Sequence, residues 1–221
     1  MKKAIVFGAS GLVGSQLVDL LTDDINYDKI VLFNRRPLSL NSSKIEEHIV
    51  NFDEMEKFSD KISEGTVFCS LGSTIRKAKT IENFIKVDYE IPFKIAKAAK
   101  QNNIESFILV SSIGANSKSR NYYTKTKGKI EEELLHLSFN HVKILRPSML
   151  LGQRKEFRLF ELIGKIIMQI LGFLFIGKLK RYKGIQARNV AKAMIWLSVN
   201  KTDQVIFESD EINELCKKYS L

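Results

Sequence analysis

The chain has 221 residues, enough for one large domain, and with 44% hydrophobic residues it can bury a sizeable core. Twelve Gly, three Pro and two Cys (Cys69 and Cys216) exclude a collagen-like or low-complexity chain and a disulfide scaffold. Lys and Arg number 35 against 25 Asp and Glu, a net charge of +10 that points to anionic partners: nucleotide phosphates, nucleic acid or a lipid surface.

Ala4 to Phe7 is the first apolar run. It is broken at once by Gly8, Ser10 and Gly11 with no cleavage site after it, so it reads as a buried strand and not as a secretory leader. The glycines at 8, 11 and 14 give G-x-x-G-x-x-G between this strand and an amphipathic helix over Gly11 to Leu21. Gly8 is expected to make a tight turn, Gly11 to let a pyrophosphate approach the backbone, and Gly14 to let the helix pack closely. Unpaired N–H groups at the helix start then face an anion.

A second strand, Ile30 to Phe33, ends in Asn34-Arg35-Arg36-Pro37. An NAD binder usually carries an acidic residue at this place, for the adenosine ribose. Two guanidiniums suit a 2′-phosphate instead, which points to NADP(H) over NAD(H). A weaker strand lies at His48 to Val50. Val67 to Cys69 is another, and it runs into Ser70-Leu71-Gly72-Ser73-Thr74, a small turn open to close approach of a cofactor.

A helix is predicted over Tyr89 to Gln101 and a strand over Phe107 to Val110, which ends in Ser111-Ser112. Tyr123 comes eleven residues after Ser112, and Lys127 follows at i+4, on the same helix face. The ammonium would favour the phenolate, Tyr123 would pass a proton to or from a carbonyl or carbinol oxygen, and Ser112 would hydrogen-bond that oxygen. Ser111 is the alternative hydroxyl.

A helix over Lys125 to Leu137 and a strand over Val142 to Leu145 complete the alternation. Strands without polar alternation, separated by helices, define an α/β class: a Rossmann-like doubly wound parallel sheet with helices on both faces. Residues 1–221 are expected to form a single domain, with about 150–221 contributing a small C-terminal cap on the substrate side. There Phe157 to Ile176 is apolar, Val190 to Val199 reads as a docked helix, Val205 to Phe207 as a late strand, and Ser209 as the N-cap of a terminal helix. The nearly unbroken apolar core at 166–176 is too short to span a bilayer. Core packing or a pocket wall is the favoured use, ahead of a homodimer interface, with peripheral membrane contact last.

Read in order, these runs, together with Lys86-Val87-Asp88, Ile113-Gly114-Ala115 and Arg146-Pro147-Ser148-Met149-Leu150-Leu151, resemble the atypical branch of the short-chain dehydrogenase/reductase superfamily. Within that branch they are most similar to the Tat-interacting-protein-like oxidoreductase group, over roughly residues 4 to 160. The resemblance implies bound NADPH, with Ser10, Gly11, Leu12 and Val13 at the pyrophosphate, Arg35 and Arg36 at the 2′-phosphate, and Leu71 and Gly72 beside the adenosine. It makes Tyr123 the proton donor and acceptor, Lys127 the holder of the nicotinamide ribose, and Leu150 and Arg158 further cofactor contacts. The gap between Ser112 and Tyr123 is shorter than the commoner superfamily pattern.

The expected activity is NADP(H)-dependent reduction of a carbonyl, or oxidation of a carbinol, on an unidentified and partly apolar small molecule. The alternative is a non-catalytic NADPH-binding regulatory module. The three histidines lack ligand spacing, so no metal is expected. No aromatic-basic recognition motif accompanies the charge, so no nucleic-acid partner is expected either. The cysteine usage points to a reducing, cytoplasmic setting.

Overall fold

The computed structural model describes residues 2–152 and 181–219. Its main sheet uses β1 (Lys2–Phe7), β2 (Tyr27–Asn34), β3 (Ile45–Ile49), β4 (Thr66–Cys69), β5 (Ser106–Val110), β6 (His141–Arg146) and β9 (Ile206–Glu208). The order is β3-β2-β1-β4-β5-β6-β9, with every neighbouring pair parallel. The chain winds outward from β1 to β3, then crosses back to β4 and winds out the other way. The carboxyl ends of β1 and β4 therefore flank the topological switch point, where a crevice opens.

Strands β1, β2, β4 and β5 are apolar on both faces where both faces are covered. Ala4, Val6, Ile30, Leu32, Phe68 and Val110 pack with α1 (Leu12–Asp23), α6 (Ala187–Val199) and α7 (Ser209–Lys218). Ile5, Phe7, Val31, Phe33, Val67 and Leu109 point the other way, toward α4 (Ile91–Gln101) and α5 (Tyr122–His136). Two short helices, α2 (Ile75–Ala78) and α3 (Ile81–Ile85), bridge β4 to a π-helical turn over Lys86–Glu90 that runs into α4. Pro92, in the first turn of α4, has no N–H to return to the preceding turn, which favours the wider winding there.

The residues from 150 onward do more than cap the sheet. β9 is its seventh strand, and α6 and α7 complete one helical layer. β7 (Leu150–Leu151) and β8 (Ile185–Gln186) form a separate parallel pair. The expected N-cap at Ser209 is corrected to Glu208, which forms a capping box with Glu211, while Ser209 is buried and accepts from Ser148 N–H. A carboxylate at this helix start meets the positive end of the helix dipole, which a hydroxyl would not do as strongly. Arg158 and the apolar stretch 166–176 lie outside the described residues.

Candidate active site

The glycine turn is built by exclusion. Gly8 sits at φ +90°, a left-handed conformation, and a Cβ there would lie 2.8 Å from the Ser70 carbonyl carbon. A Cβ at Gly14 would lie 2.0 Å from the Gly8 oxygen and 2.8 Å from Ser70 Oγ. Gly11 N–H donates to the Gly8 oxygen at 2.9 Å, and Ser70 Oγ donates to the Phe7 oxygen at 3.1 Å, so the β4 loop is tied to the end of β1. Gly11 heads α1 with no side-chain cap, and no acidic residue stands in the first turn. That leaves the positive end of the helix open to an anion.

In front of this turn lies a cleft of about 1190 Å³. Ser10, Gly11, Leu12, Val13, Arg35, Arg36, Leu71, Gly72, Tyr123, Lys127 and Leu150 all line it. Gly8 and Gly14 shape the turn behind it. Ser112 is not on its wall: its Oγ faces its own neighbour, the Ile113 carbonyl, at 3.4 Å. Ser111 takes that place. Its N–H extends the sheet ladder to the Leu145 oxygen (2.8 Å), and its Oγ is buried on the cleft wall without a hydrogen-bond partner. A buried hydroxyl so placed is one that a ligand or a water would satisfy.

The charges in the cleft are unevenly matched. Asp53, after β3, pairs with Lys86 at 2.7 Å, and Asp88, in the π-turn, pairs with Lys127 at 2.7 Å. Arg35 and Arg36 are exposed and have no ion-pair partner among the described residues.

The Tyr123 region is held by two residues to which the sequence motifs attach no role. Phe84 of α3, fully buried, stacks on Tyr123 with centroids 5.3 Å apart. Asp88 accepts Ser73 N–H at 2.8 Å while it pairs with Lys127. Burial alone would push the Lys127 ammonium down. The Asp88 carboxylate and the Tyr123 phenol outweigh it, so the group is held above its ordinary range. Lys127 is thus a charged lysine whose charge is met by Asp88, not an ammonium left to Tyr123 alone. Asp88 stood in the sequence only as the end of the Lys86-Val87-Asp88 run, and the further signal was Pro92 four residues later, where regular helix winding is disfavoured. Among the described residues no cluster of His, Cys, Asp and Glu suits a metal ion, and no helix is long and apolar enough to cross a membrane.

A doubly wound parallel sheet with a glycine turn at its switch point defines a Rossmann-like α/β fold. The solved enzyme WbmH of Bordetella bronchiseptica, in complex with NAD+, superposes with a TM-score of 0.70 at 17% identity, covering 98% of this chain and 79% of its own. MoeE5 in complex with UDP-glucuronic acid and NAD gives 0.70 at 16%, covering 94% and 75%. A short chain dehydrogenase family protein from Francisella tularensis gives 0.65 at 16%, covering 91% and 92%. At these identities the likeness is one of fold.

The chain belongs to the HIM1 family, whose model matches residues 31–172. It is 33% identical to "Protein FMP52-1, mitochondrial" of Scheffersomyces stipitis over 97% of this chain and 99% of that one. It is 36% identical to "Protein FMP52, mitochondrial" of Candida albicans over 86% and 85%, and 28% identical to the Saccharomyces cerevisiae protein of the same name over 94% and 93%. The finer likeness to the Tat-interacting-protein group rests on the motifs alone. The names overturn the cytoplasmic expectation: cysteine content reports a reducing environment, and such an environment is not confined to one compartment.

Proposed function

We propose that this protein binds NADP(H) in the cleft and acts as an oxidoreductase on a carbonyl or carbinol of a small molecule, with Tyr123 as proton donor and acceptor. One observation carries the cofactor reading: two guanidiniums without ion-pair partners among the described residues stand in the same cleft as an uncapped helix start. The helix start suits a diphosphate and the arginines suit a further phosphate on the adenosine sugar. The NAD named with the structural neighbours MoeE5 and WbmH supports a dinucleotide there. The mitochondrial names of the relatives support a mitochondrial setting.

When bound, the nicotinamide supplies or accepts hydride. The protein's share is orientation and a proton path. Ser111 Oγ, free of internal partners, donates to the substrate oxygen. Tyr123, held by the Phe84 ring, gives or takes the proton at that oxygen. Asp88 fixes Lys127, whose Nζ lies beside Gly72 on the cleft wall.

The test is calorimetric. Arg35→Ala should weaken NADPH by roughly 1–3 kcal/mol, the scale of a charged hydrogen bond, and leave NADH almost unchanged. Equal losses for both would remove the 2′-phosphate reading. A second reading, an NADPH-binding regulatory module, is favoured by the Asp88–Lys127 pair, which withdraws ammonium charge from Tyr123. A carbonyl panel separates the two: turnover abolished by Tyr123→Phe supports the enzyme, and tight NADPH binding without turnover on any carbonyl supports the module.

A further inference from the structure

The arginine loop is a short arch with both feet on one side chain. Glu47 of β3 lies on the sheet face shared by Leu32 and Asn34, since β2 and β3 pair with Leu32 opposite Glu47. Its Oε1 accepts Asn34 Nδ2 at 2.7 Å, on the N-terminal side of the arginines. The same carboxylate accepts Leu38 N–H at 3.1 and 3.4 Å, on the C-terminal side. Asn34 is buried, and Leu38 packs against the core. Between these anchors stand only Arg35, Arg36 and Pro37, all exposed. Pro37 fixes its own φ and restricts Arg36 to extended backbone. No ion pair joins Glu47 to either arginine.

From this geometry we infer that Glu47 is a positioning residue for cofactor choice: it pins both ends of the Arg35-Arg36 arch so that the guanidiniums face the cleft, and so sets the preference for a dinucleotide carrying a 2′-phosphate. The inference rests on the NADP(H) reading above. It also gives the local acid a role opposite to the one it would have in an NAD binder. An acidic residue beside the adenosine ribose normally accepts hydrogen bonds from the sugar hydroxyls and repels a 2′-phosphate. Here the carboxylate is committed to Asn34 and Leu38. Without it, the two arginines would sit on an untethered loop and lose conformational freedom each time they gripped an anion, at a cost in affinity.

The sign of the effect decides the matter. If Glu47 acted merely as a nearby negative charge, removing it would tighten NADPH. If it acts as a tether, removing it loosens NADPH and spares NADH.

The experiment is isothermal titration of the full chain with NADPH and with NADH, in wild type, Glu47→Leu, Glu47→Gln and Arg35→Ala, with melting curves as a folding control. Glu47→Leu should weaken NADPH about tenfold, the equivalent of one good hydrogen bond, with NADH unchanged. Glu47→Gln keeps an acceptor oxygen where Asn34 and Leu38 both donate, and should restore most of the preference. Unchanged or tighter NADPH binding by Glu47→Leu, while Arg35→Ala loses it, overturns the tether and leaves the NADP(H) reading standing. An NADPH-to-NADH ratio unmoved by Arg35→Ala overturns that reading itself. Should Glu47→Leu fail to fold, Asn34→Ala cuts the other end of the same tether. It must then lower the NADPH-to-NADH ratio, and an unchanged ratio overturns the inference.

Discussion

Lys127 and Asp88 form an ion pair that water barely reaches, with Nζ 2.7 Å from Oδ1 and side chains 7% and 0% exposed. In such a place the loss of one partner costs more than the loss of both, because the survivor stays buried and unpaired. Asp88→Ala should therefore destabilise the fold by about 3–5 kcal/mol, and the double variant Asp88→Ala/Lys127→Met by clearly less. Urea denaturation of both variants measures the difference. Equal losses would show that the pair is not electrostatically coupled.

Ser111 and Ser112 separate structure from chemistry. Ser111→Ala breaks no internal hydrogen bond of its side chain, so the melting temperature should hold or rise slightly. Turnover on a responsive carbonyl should nonetheless fall about 100-fold, the scale of a lost oxyanion donor. Ser112→Ala should leave turnover near wild type. Steady-state kinetics on the two variants checks this, and the reverse pattern would return the role to Ser112.

Gly14→Ala places a methyl group 2.0 Å from the Gly8 oxygen, so the backbone of the turn must move. The expected cost is about 1–3 kcal/mol of stability, as for other overpacked sites, together with loss of nucleotide binding. Gly72→Ala is milder. Its Cβ would meet Asp88 Oδ1 at 3.3 Å and Lys127 Nζ at 3.4 Å, so binding should suffer while the fold survives. Fluorescence titration with NADPH, set beside melting curves, distinguishes the two.

Tyr27 makes the fold sensitive to alkali. Burial pushes its phenol from 10.0 up to about 12, against the opposing pull of its hydrogen bond to Ser198 Oγ at 2.6 Å. The folded state thus holds this proton more tightly than the unfolded chain. The resulting stability is complete below pH 10.0 and is lost as pH rises toward about 12. Tyr27→Phe should cost about 1 kcal/mol at neutral pH through the lost hydrogen bond, yet decline less steeply above pH 10. Chemical denaturation across that range measures both slopes.

Much of this architecture was legible because burial on both faces writes itself as uninterrupted Val, Ile and Phe. Ala4 to Phe7, Ile30 to Phe33 and Phe107 to Val110 all lie inside observed strands. The glycine turn and the arginine pair were legible because each needs residue types few other positions demand. What escaped was set by tertiary contact. α2 and α3 have four and five residues, too short for helical periodicity to show. Glu47 looks like an ordinary surface acid until the fold brings the arginine arch to it, and Asp88 has no role within its run until the fold brings Lys127 to it. The choice between Ser111 and Ser112 depends on how the chain leaves the end of β5, which no spacing rule specifies.

The packing of α1 against α6 has a consequence for synthesis. Val13, Leu17 and Leu21, on the helix behind the glycine turn, share one apolar cluster with Val190, Ala191 and Met194. A nascent chain that has released its first hundred residues still lacks the surface on which that helix rests. The glycine turn is thus made well before the helix that backs it, and until α6 emerges the growing polypeptide carries an uncovered greasy face of the kind chaperones bind.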